Sequence, residues 1–272
     1  MKRFVLAVTA IAAMLSLTGC EFLEELLKLA DDIEKVESET YVDQWADLVN
    51  ETAYGAVVDG NTLTYGSHVY YVLGEIDYEI SDYDRPTASV MFKNIPSGAT
   101  EFKAVYEGLL GKYPQGAAAM VPMAMEIYAR NAETGRKCFE ILCKDNATVD
   151  GIIRILKTKI VPSVFGGAND GYIQRYLPAA LLKGAKYNNS YKPEEPYTVE
   201  MCASRNKPQE TKLDPYGMVY YLYIQSDGWD SRNRDVDLFL PEGESLYKVQ
   251  GCASCYTQCK NMASGGVFGG LK

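Results

Sequence analysis

The run of residues 219–224, Val-Tyr-Tyr-Leu-Tyr-Ile, constrains the fold more than any other part of the sequence. An uninterrupted apolar stretch rich in β-branched and aromatic residues is typical of a central strand that is buried on both faces. Such a strand needs partner strands beside it and apolar cover above and below it. The largest apolar supply lies between residues 102 and 160, so we expect these two regions to form one cooperative body.

The remaining patterns predict an α+β protein. Helical periodicity dominates residues 97–185, which we interpret as an array of short helices. Residues 63–80 and 87–92 are rich in Tyr, Val and Phe and are typical of strands. Four more strand-like runs follow the helical region, and we expect them to form an antiparallel sheet of about four strands within residues 197–250. These runs cover residues 197–203, 218–225, 234–240 and 245–249.

The N-terminus has the layout of an export signal. Lys2 and Arg3 precede an apolar run, residues 4–18, that is too short to cross a bilayer as a helix. The run ends in Leu17-Thr18-Gly19-Cys20, which resembles the lipobox of bacterial lipoproteins. The resemblance implies that residues 1–19 are a signal peptide and that Cys20 carries lipid after cleavage. The alternative is an ordinary signal peptide with an incidental cysteine.

Lipidation of Cys20 predicts a place for the protein and a domain order. Two or three acyl chains hold a protein stably on a membrane, so we expect an extracytoplasmic protein anchored to a bacterial cell membrane. Residues 20–40 are predicted to be the anchor and an amphipathic tether helix, which either lifts the body off the lipid or packs on the body or on a second copy. Residues 41–262 are predicted to be a single α+β body, and the glycine-rich residues 263–272 a flexible tail.

Composition excludes one class of partner. The formal net charge is −9, the chain has one histidine, and no run of basic residues is present. Because affinity for nucleic acid comes from clustered Lys and Arg, we expect no nucleic-acid binding. The hydrophobic content of 47% supports a true core, and the 21 tyrosines suit half-buried strand faces and contact surfaces.

Six cysteines remain after Cys20, and three of them cluster as Cys252, Cys255 and Cys259. Outside the cytoplasm an even number of cysteines favours disulfides. Thiolates at this spacing also suit a metal, an iron–sulfur cluster or a redox pair. Because no fourth ligand follows nearby, we favour disulfides or free thiols and expect no cofactor. Cys138 and Cys143 are five residues apart on a predicted helix, and we expect both to be small buried side chains.

Aromatic and acidic residues together give the candidate binding residues. Tyr221 and Tyr223 lie on the same face of the predicted central strand. Trp229 follows shortly after, between Asp227 and Asp230. Aromatic faces beside carboxylates suit a glycan or a peptide. A hydrolase with a carboxylate pair is an alternative, since glycosidases use such pairs, and solvated loop charges are the simplest explanation.

His68 is the only histidine, which excludes a metal site built from several histidines. No Gly-x-Ser-x-Gly elbow is present to supply the serine of a triad. We therefore interpret His68 as an ordinary strand or turn residue. The sequence also contains two acidic clusters, whose carboxylates we expect to be solvated. The functional alternatives are that a cluster binds calcium or supplies the acid pair of a hydrolase. The first cluster comprises Asp77, Glu79, Asp82 and Asp84, and the second adds Asp235 and Asp237 to Asp227 and Asp230.

Several short motifs between about residues 102 and 249 resemble an uncharacterised family of bacterial domains of unknown function, the one numbered 6935. The resemblance implies no activity, no cofactor and no catalytic residue. The motifs are Tyr-Pro-Gln-Gly-Ala-Ala-Ala at residues 113–119, Thr-Gly at 134–135, Tyr-Lys-Pro at 191–193, Pro-Tyr-Thr-Val at 196–199 and Ser-Asp-Gly-Trp-Asp-Ser-Arg at 226–232.

The sequence thus favours a lipid-anchored binding or interaction module without catalytic activity. The expected partners are membrane lipid through Cys20 and a glycan, a peptide or an envelope protein. A hydrolase with a carboxylate pair and a thiol redox or metal module at Cys252, Cys255 and Cys259 are the alternatives. A flat aromatic sheet face would favour the binding module, and a deep pocket with facing carboxylates would favour the hydrolase.

Overall fold

The computed structural model describes residues 55–80, 82–160, 173–211, 214–263 and 266–272. Residues 53–272 form one compact unit. The predicted signal peptide, the lipid anchor at Cys20 and the tether helix lie outside the described residues. None of the helices in the described part of the chain is both long and apolar enough to cross a membrane.

The sheet is antiparallel at every strand pair. Eight strands follow one path, in the order β1-β2-β3-β4-β5-β7-β8-β9, and β6 pairs with β7 outside this path. The strands are β1 (Val57–Asp59), β2 (Thr62–Tyr65), β3 (His68–Gly74), β4 (Ala88–Phe92), β5 (Tyr197–Ala203), β6 (Gln209–Thr211), β7 (Asp214–Gln225), β8 (Asn233–Pro241) and β9 (Lys248–Gly251).

The α+β class is confirmed, but the prediction of about four strands is wrong. β4 pairs with β5 in a register that runs from Ala88 opposite Met201 to Phe92 opposite Tyr197. This pairing joins the strands before the helices to the strands after them in one sheet. Local sequence patterns show which segments are extended, but they do not show which distant segments become neighbours, and this is why the sheet was underestimated.

Five α-helices connect the two halves of the sheet in the described part of the chain. They are α1 (Ala99–Gly108), α2 (Pro114–Arg130), α3 (Ala132–Leu142), α4 (Asn146–Lys159) and the single turn α5 (Leu177–Ala180). Side chains cap two of them. Asn131 accepts a hydrogen bond from the Thr134 main-chain N–H at 2.9 Å, and Asp145 accepts one from the Thr148 N–H at 2.8 Å. Such caps satisfy main-chain donors that the helix leaves unpaired.

Helix α2 is the centre of the molecule, because every side chain from residue 115 to residue 129 is buried. It contacts β4, β7, β8 and β9 on one side and α3 on the other. Two glycines permit the closest approaches. A Cβ on Gly116 would overlap the carbonyl oxygen of Leu110, and a Cβ on Gly135 of α3 would overlap the main chain of Tyr128. Both glycines belong to the motifs at residues 113–119 and 134–135.

The sheet has an inner face that packs on the helices and an opposite face, which we call the outer face. Leu222 and Ile224 of β7 are fully buried in the core that includes α2, as are Val236 and Leu238 of β8. Side chains alternate between faces along a strand, so the residues between them point outward. These outward residues are half-buried or exposed over much of β7 and β8.

The C-terminal segment, which we expected to be a flexible tail, makes several contacts over residues 266–272. The Leu271 carbonyl accepts a hydrogen bond from Arg130 at 2.9 Å. The carbonyl of Lys272 accepts one from the Ile95 N–H at 2.8 Å, and the Lys272 N–H donates to the Tyr197 hydroxyl at 3.0 Å. These contacts hold residues 271 and 272 against the body, and the flexibility of the tail stays a prediction.

Candidate functional site

Four side chains form a compact patch on the outer face, which we call the tyrosine–aspartate patch: Tyr221, Tyr223, Asp235 and Asp237. Tyr221 lies directly opposite Asp237, and Tyr223 lies directly opposite Asp235, in the β7–β8 register. Directly opposed residues in an antiparallel pair share a face and lie about 4.5–5.5 Å apart at Cβ. The patch therefore places two phenol rings beside two carboxylates on the outer face.

The two carboxylates of the patch form no ion pair with any residue that the structure describes. The guanidinium of Arg234, which precedes Asp235 in the chain, is close enough for the two charges to interact. Burial and the neighbouring charge of Asp235, in that order, raise the pKa of Asp237. A carboxylate whose charged form is disfavoured in this way gains from any cation that approaches it. The patch is therefore electrostatically suited to a positively charged group.

The two tyrosines are positioned by their neighbours on β5 and β6. The Tyr221 hydroxyl accepts a hydrogen bond from Gln209 of β6 at 3.1 Å. Tyr223 lies opposite Cys202 of β5. Both tyrosines are half-buried, so part of each ring is available for contact from the outer face. The sequence predicts both tyrosines as candidate binding residues, but it does not pair them with Asp235 and Asp237.

Trp229 lies away from the patch, in the loop between β7 and β8. Its side chain is only 7% exposed, and the Arg234 guanidinium carbon lies 4.9 Å from the ring centroid. The loop is fixed by Ser226, whose hydroxyl donates to the Ala180 carbonyl and accepts from the Gly228 N–H at 2.9 Å. Ser226 thus docks the loop on α5 and Trp229 packs against Arg234 of β8, which gives this motif a structural role.

The two aspartates that flank Trp229 are engaged by basic side chains. Asp227 lies 3.2 Å from Nε of Arg232 and 3.4 Å from Nζ of Lys186. Asp230 is almost fully exposed and lies 2.9 Å from Nζ of Lys260. The structure therefore does not bring Trp229, Asp227 and Asp230 together with the two tyrosines, although sequence analysis grouped all five as candidate binding residues.

The cysteine cluster separates into a pair and a single residue. Cys252 and Cys255 lie in one turn after β9, whereas Cys259 contacts Gln174, with its N–H donating to the Gln174 side-chain oxygen at 2.8 Å. All six cysteines of the described residues are free and buried, including Cys138 and Cys143. No group of three or more His, Cys, Asp or Glu residues suited to a metal ion occurs in the described ranges.

The acidic residues between β3 and β4 organise their own loop. Asp77 accepts a hydrogen bond from the Glu79 N–H at 2.9 Å, and Asp82 accepts one from the Asp84 N–H at 3.2 Å. Glu79 also lies 2.7 Å from Nζ of Lys207. Asx-type hydrogen bonds of this kind are typical of turns. They account for Asp77 and Asp82 as turn-forming residues and for Glu79 as one side of a surface ion pair.

A buried polar cluster surrounds Glu101 of α1, and the sequence does not predict it. Its carboxylate accepts hydrogen bonds from His68 at 2.6 Å, from the Tyr70 hydroxyl at 2.7 Å, and from the Ser97 N–H and hydroxyl at 2.7 and 2.8 Å. His68 and Tyr70 are two apart on β3, and this alternation could have shown that they share a face. Their common partner Glu101 had no signal in the sequence. The cluster ties β3 to the start of α1.

A shallow pocket of about 360 Å³ lies where β7 and β8 meet the turn after β8, a volume near the lower limit for a small ligand. Met218 and Leu240 contribute apolar side chains, and the exposed residues Glu242 and Glu244 lie at its rim. The pocket lies at the other end of β7 and β8 from the Ser226–Arg232 loop, and its lining includes none of the four patch residues. The rim carboxylates are solvated turn residues rather than a buried acid pair.

No curated protein and no solved structure matches the chain. The model of a family described as a domain of unknown function, DUF6935, matches residues 94–263, which is more than half of the chain. The matched region contains helices α1 to α5, strands β5 to β9 and the Ser226–Arg232 loop. The chain therefore belongs to the DUF6935 family.

Proposed function

We propose that the protein is a lipid-anchored, extracytoplasmic binding module without catalytic activity, and that its tyrosine–aspartate patch binds a cationic segment of a peptide or protein. One observation carries the proposal. Two neighbouring carboxylates that form no ion pair with the described residues, Asp235 and Asp237, lie directly opposite two half-buried tyrosines, Tyr223 and Tyr221. A Lys or Arg side chain satisfies both halves of this arrangement.

The chemistry of the patch favours Lys or Arg over other groups. The aliphatic stem of either side chain packs on an aromatic face, and its charged end is attracted to the ring and to a carboxylate. Two groups that could act as nucleophiles lie next to Asp235: the Ser254 hydroxyl and the Cys255 thiol, which donate to the Asp235 main-chain carbonyl. Burial raises the pKa of the Cys255 thiol to about 12, so the thiol is not activated, and this supports binding rather than hydrolysis.

The N-terminal sequence supports the membrane anchor. The tetrapeptide Leu17-Thr18-Gly19-Cys20 after a short apolar run resembles a lipobox, and acyl chains on Cys20 would hold the body at a membrane surface. Labelling of cells with a fatty-acid analogue tests this part. We expect label on the wild type and none on Cys20→Ser, which should accumulate as an unprocessed precursor. Equal labelling of both proteins would contradict the anchor.

Binding by the patch is tested with the purified full chain and three probes: an oligolysine peptide, an oligoglutamate peptide and a neutral oligosaccharide. We expect oligolysine alone to bind. Tyr223→Ala and Asp237→Asn should each weaken it by about two- to thirtyfold, as expected for loss of a contact worth roughly 0.5–2 kcal/mol. Asp230→Asn is the matched control, because it removes the same charge from an exposed position outside the patch.

Two results would contradict the proposal. If Asp230→Asn weakens oligolysine binding as much as Asp237→Asn does, the attraction comes from the net negative charge of the protein and not from the patch. If the neutral oligosaccharide binds and Tyr223→Ala abolishes its binding, the patch recognises a glycan through ring stacking instead.

A further inference from the structure

The turn that follows β9 brings two cysteines together. The main-chain N–H of Cys255 donates a hydrogen bond to the carbonyl of Cys252 at 2.9 Å. A hydrogen bond between residues three apart closes a turn in which the outer Cα atoms are less than about 7 Å apart. Disulfides bridge Cα separations of about 4.4–6.8 Å. We infer that Cys252 and Cys255 are a disulfide-forming pair and that the exported protein carries this bond.

The structure separates Cys259 from this pair. The main chain of Cys259 exchanges two hydrogen bonds with the Gln174 side chain, each 2.8 Å long, and its sulfur lies 3.4 Å from the Gln174 side-chain oxygen. Gln174 is itself fully buried. Cys259 is thus held against the segment that precedes α5, and it remains a free thiol in this proposal.

Two other cysteines, Cys202 and Cys143, have to be considered as alternative disulfide partners. The Cys202 thiol donates to the Tyr83 carbonyl at 2.8 Å, on the outer face of the sheet. Cys143, which directly follows α3, is the competing partner, because it lies close enough to Cys252 for its charge to influence the pKa of that thiol. The main-chain hydrogen bond between Cys255 and Cys252 favours Cys255 over Cys143 as the partner of Cys252, because it holds the two main-chain positions at a fixed, short distance.

The bond forms by thiol–disulfide exchange with an external disulfide, either a small molecule or an oxidoreductase. One thiolate of the pair attacks the external disulfide and releases one thiol, and the second cysteine then displaces the other. The net change is loss of the two S–H bonds of Cys252 and Cys255, formation of one S–S bond, and reduction of the external disulfide to two thiols. An oxidising compartment is required, so the occurrence of the bond in cells rests on the proposed export.

The burial of Cys252 and Cys255 determines when thiol–disulfide exchange at these residues is possible. Cys252 and Cys255 are 1% and 0% exposed. Burial raises the pKa of the Cys255 thiol to about 12 and that of Cys252 well above its usual value. Because the thiolate is the reactive form, exchange in the folded protein should be slow. We therefore expect the bond to form while the chain folds and to resist reductants afterwards.

The test uses the reduced full chain, unfolded in denaturant and refolded with oxidised glutathione, which makes it independent of export and of binding by the patch. Remaining thiols are alkylated in denaturant, and the protein is digested with trypsin. Residues 249–260 form one tryptic peptide that contains Cys252, Cys255 and Cys259. We expect this peptide to carry a single alkyl group, on Cys259, and a disulfide between Cys252 and Cys255. The disulfide makes it about 2 Da lighter than the same peptide with Cys252 and Cys255 as free thiols.

Variants and alternative products make the result decisive. Cys259→Ser should keep the internal bond, whereas Cys255→Ser should leave Cys252 alkylated. Three alkyl groups on the wild-type peptide, a bond that includes Cys259, or a cross-link to the tryptic peptide of residues 138–144 that contains Cys143 would each overturn the inference. The wild-type digest decides the matter even if a variant fails to fold. Failure here with intact lipid labelling at Cys20 would leave the proposed function standing.

Discussion

Arg175 donates two hydrogen bonds, each 2.7 Å long, to the carboxylate of Glu126 in the C-terminal part of α2. Glu126 is completely buried, and Arg130 of the same helix donates to it at 3.0 Å. A buried carboxylate is costly unless it is paired and hydrogen-bonded. Glu126 thus holds the segment before α5 on the central helix, and Arg130 extends the network to Leu271 near the C-terminus.

Loss of Arg175 should therefore be strongly destabilising. We expect Arg175→Met to lower the free energy of unfolding by about 3 kcal/mol, because it leaves much of a buried charge uncompensated. Arg136→Met is the matched control. Arg136 pairs with Glu140 and Asp150 on the surface, and exposed pairs contribute less than about 1 kcal/mol. Urea unfolding measures both, and equal losses would show that Glu126 does not need its partner.

Stability should also depend on acid through Glu101. Burial raises the pKa of this carboxyl, but hydrogen bonds from His68, Ser97 and Tyr70 outweigh burial and lower the pKa below its usual value of 4.5. A carboxyl with a lower pKa in the folded state stabilises the fold above its unfolded-state pKa, and this contribution is lost as pH falls through the folded-state pKa.

The Glu101→Gln variant isolates this contribution. We expect it to be less stable than the wild type at neutral pH and to lose less further stability between about pH 5 and about pH 3, since it has no carboxylate to protonate there. Thermal unfolding over this range provides the measurement, and Glu140→Gln on the exposed side of α3 is the control. Parallel pH profiles for the wild type and Glu101→Gln would rule out the assigned role.

Substitution of two helical glycines by alanine should change the stability of the protein in opposite directions. Gly135 of α3 packs against the Tyr128 main chain of α2, and an added Cβ would overlap it. Gly135→Ala should therefore cost about 1–3 kcal/mol through overpacking. Gly151 of α4 has no atom within 4 Å of an added Cβ, so Gly151→Ala should stabilise the protein by about 0.5–1 kcal/mol. Denaturant midpoints give both signs, and a stabilised Gly135→Ala variant would refute the close approach.

The sheet and the helices should unfold together. Leu222 of β7 is fully buried in the core that α2 shares. Leu222→Asp places an unpaired charge there and should cost several kcal/mol, about 4 or more. Hydrogen exchange should then show loss of protection in α1 to α4 as well as in the sheet. Wild-type protection of the helices with an opened sheet would indicate two independent domains. Tyr221→Asp, on the outer face, should have a smaller effect.

Purified protein should contain no stoichiometric zinc or iron. The three clustered cysteines do not converge, because Cys259 contacts Gln174 while Cys252 and Cys255 share a separate turn. A structural zinc site needs four ligands in tetrahedral geometry. Elemental analysis of the full chain, purified without chelators, checks this expectation. One ion per chain that is lost in Cys252→Ser would overturn it and would restore the metal-thiolate alternative.

Local pattern was sufficient for the class of the fold and for several individual side chains. The apolar run at residues 219–224 predicted the central strand, because side-chain alternation and strand propensity act over a few residues. The same reasoning identified the helical region, the burial of Cys138 and Cys143, and the shared face of Tyr221 and Tyr223. The resemblance of the short motifs indicated the family, and Gly116 and Gly135 show that two of these motifs serve helix packing.

Only the tertiary structure decided which distant segments meet. The pairing of Ala88 with Met201 joins two groups of strands into one large sheet. His68 and Tyr70 of β3 form a polar cluster only because the fold places Glu101 of α1 within hydrogen-bond distance of both. Likewise, the register of β7 on β8 sets Asp235 and Asp237 opposite the tyrosines and leaves Trp229 buried elsewhere. Contacts of this kind depend on strand order and register, which a local pattern leaves open because many distant pairings satisfy the same alternation of apolar and polar residues.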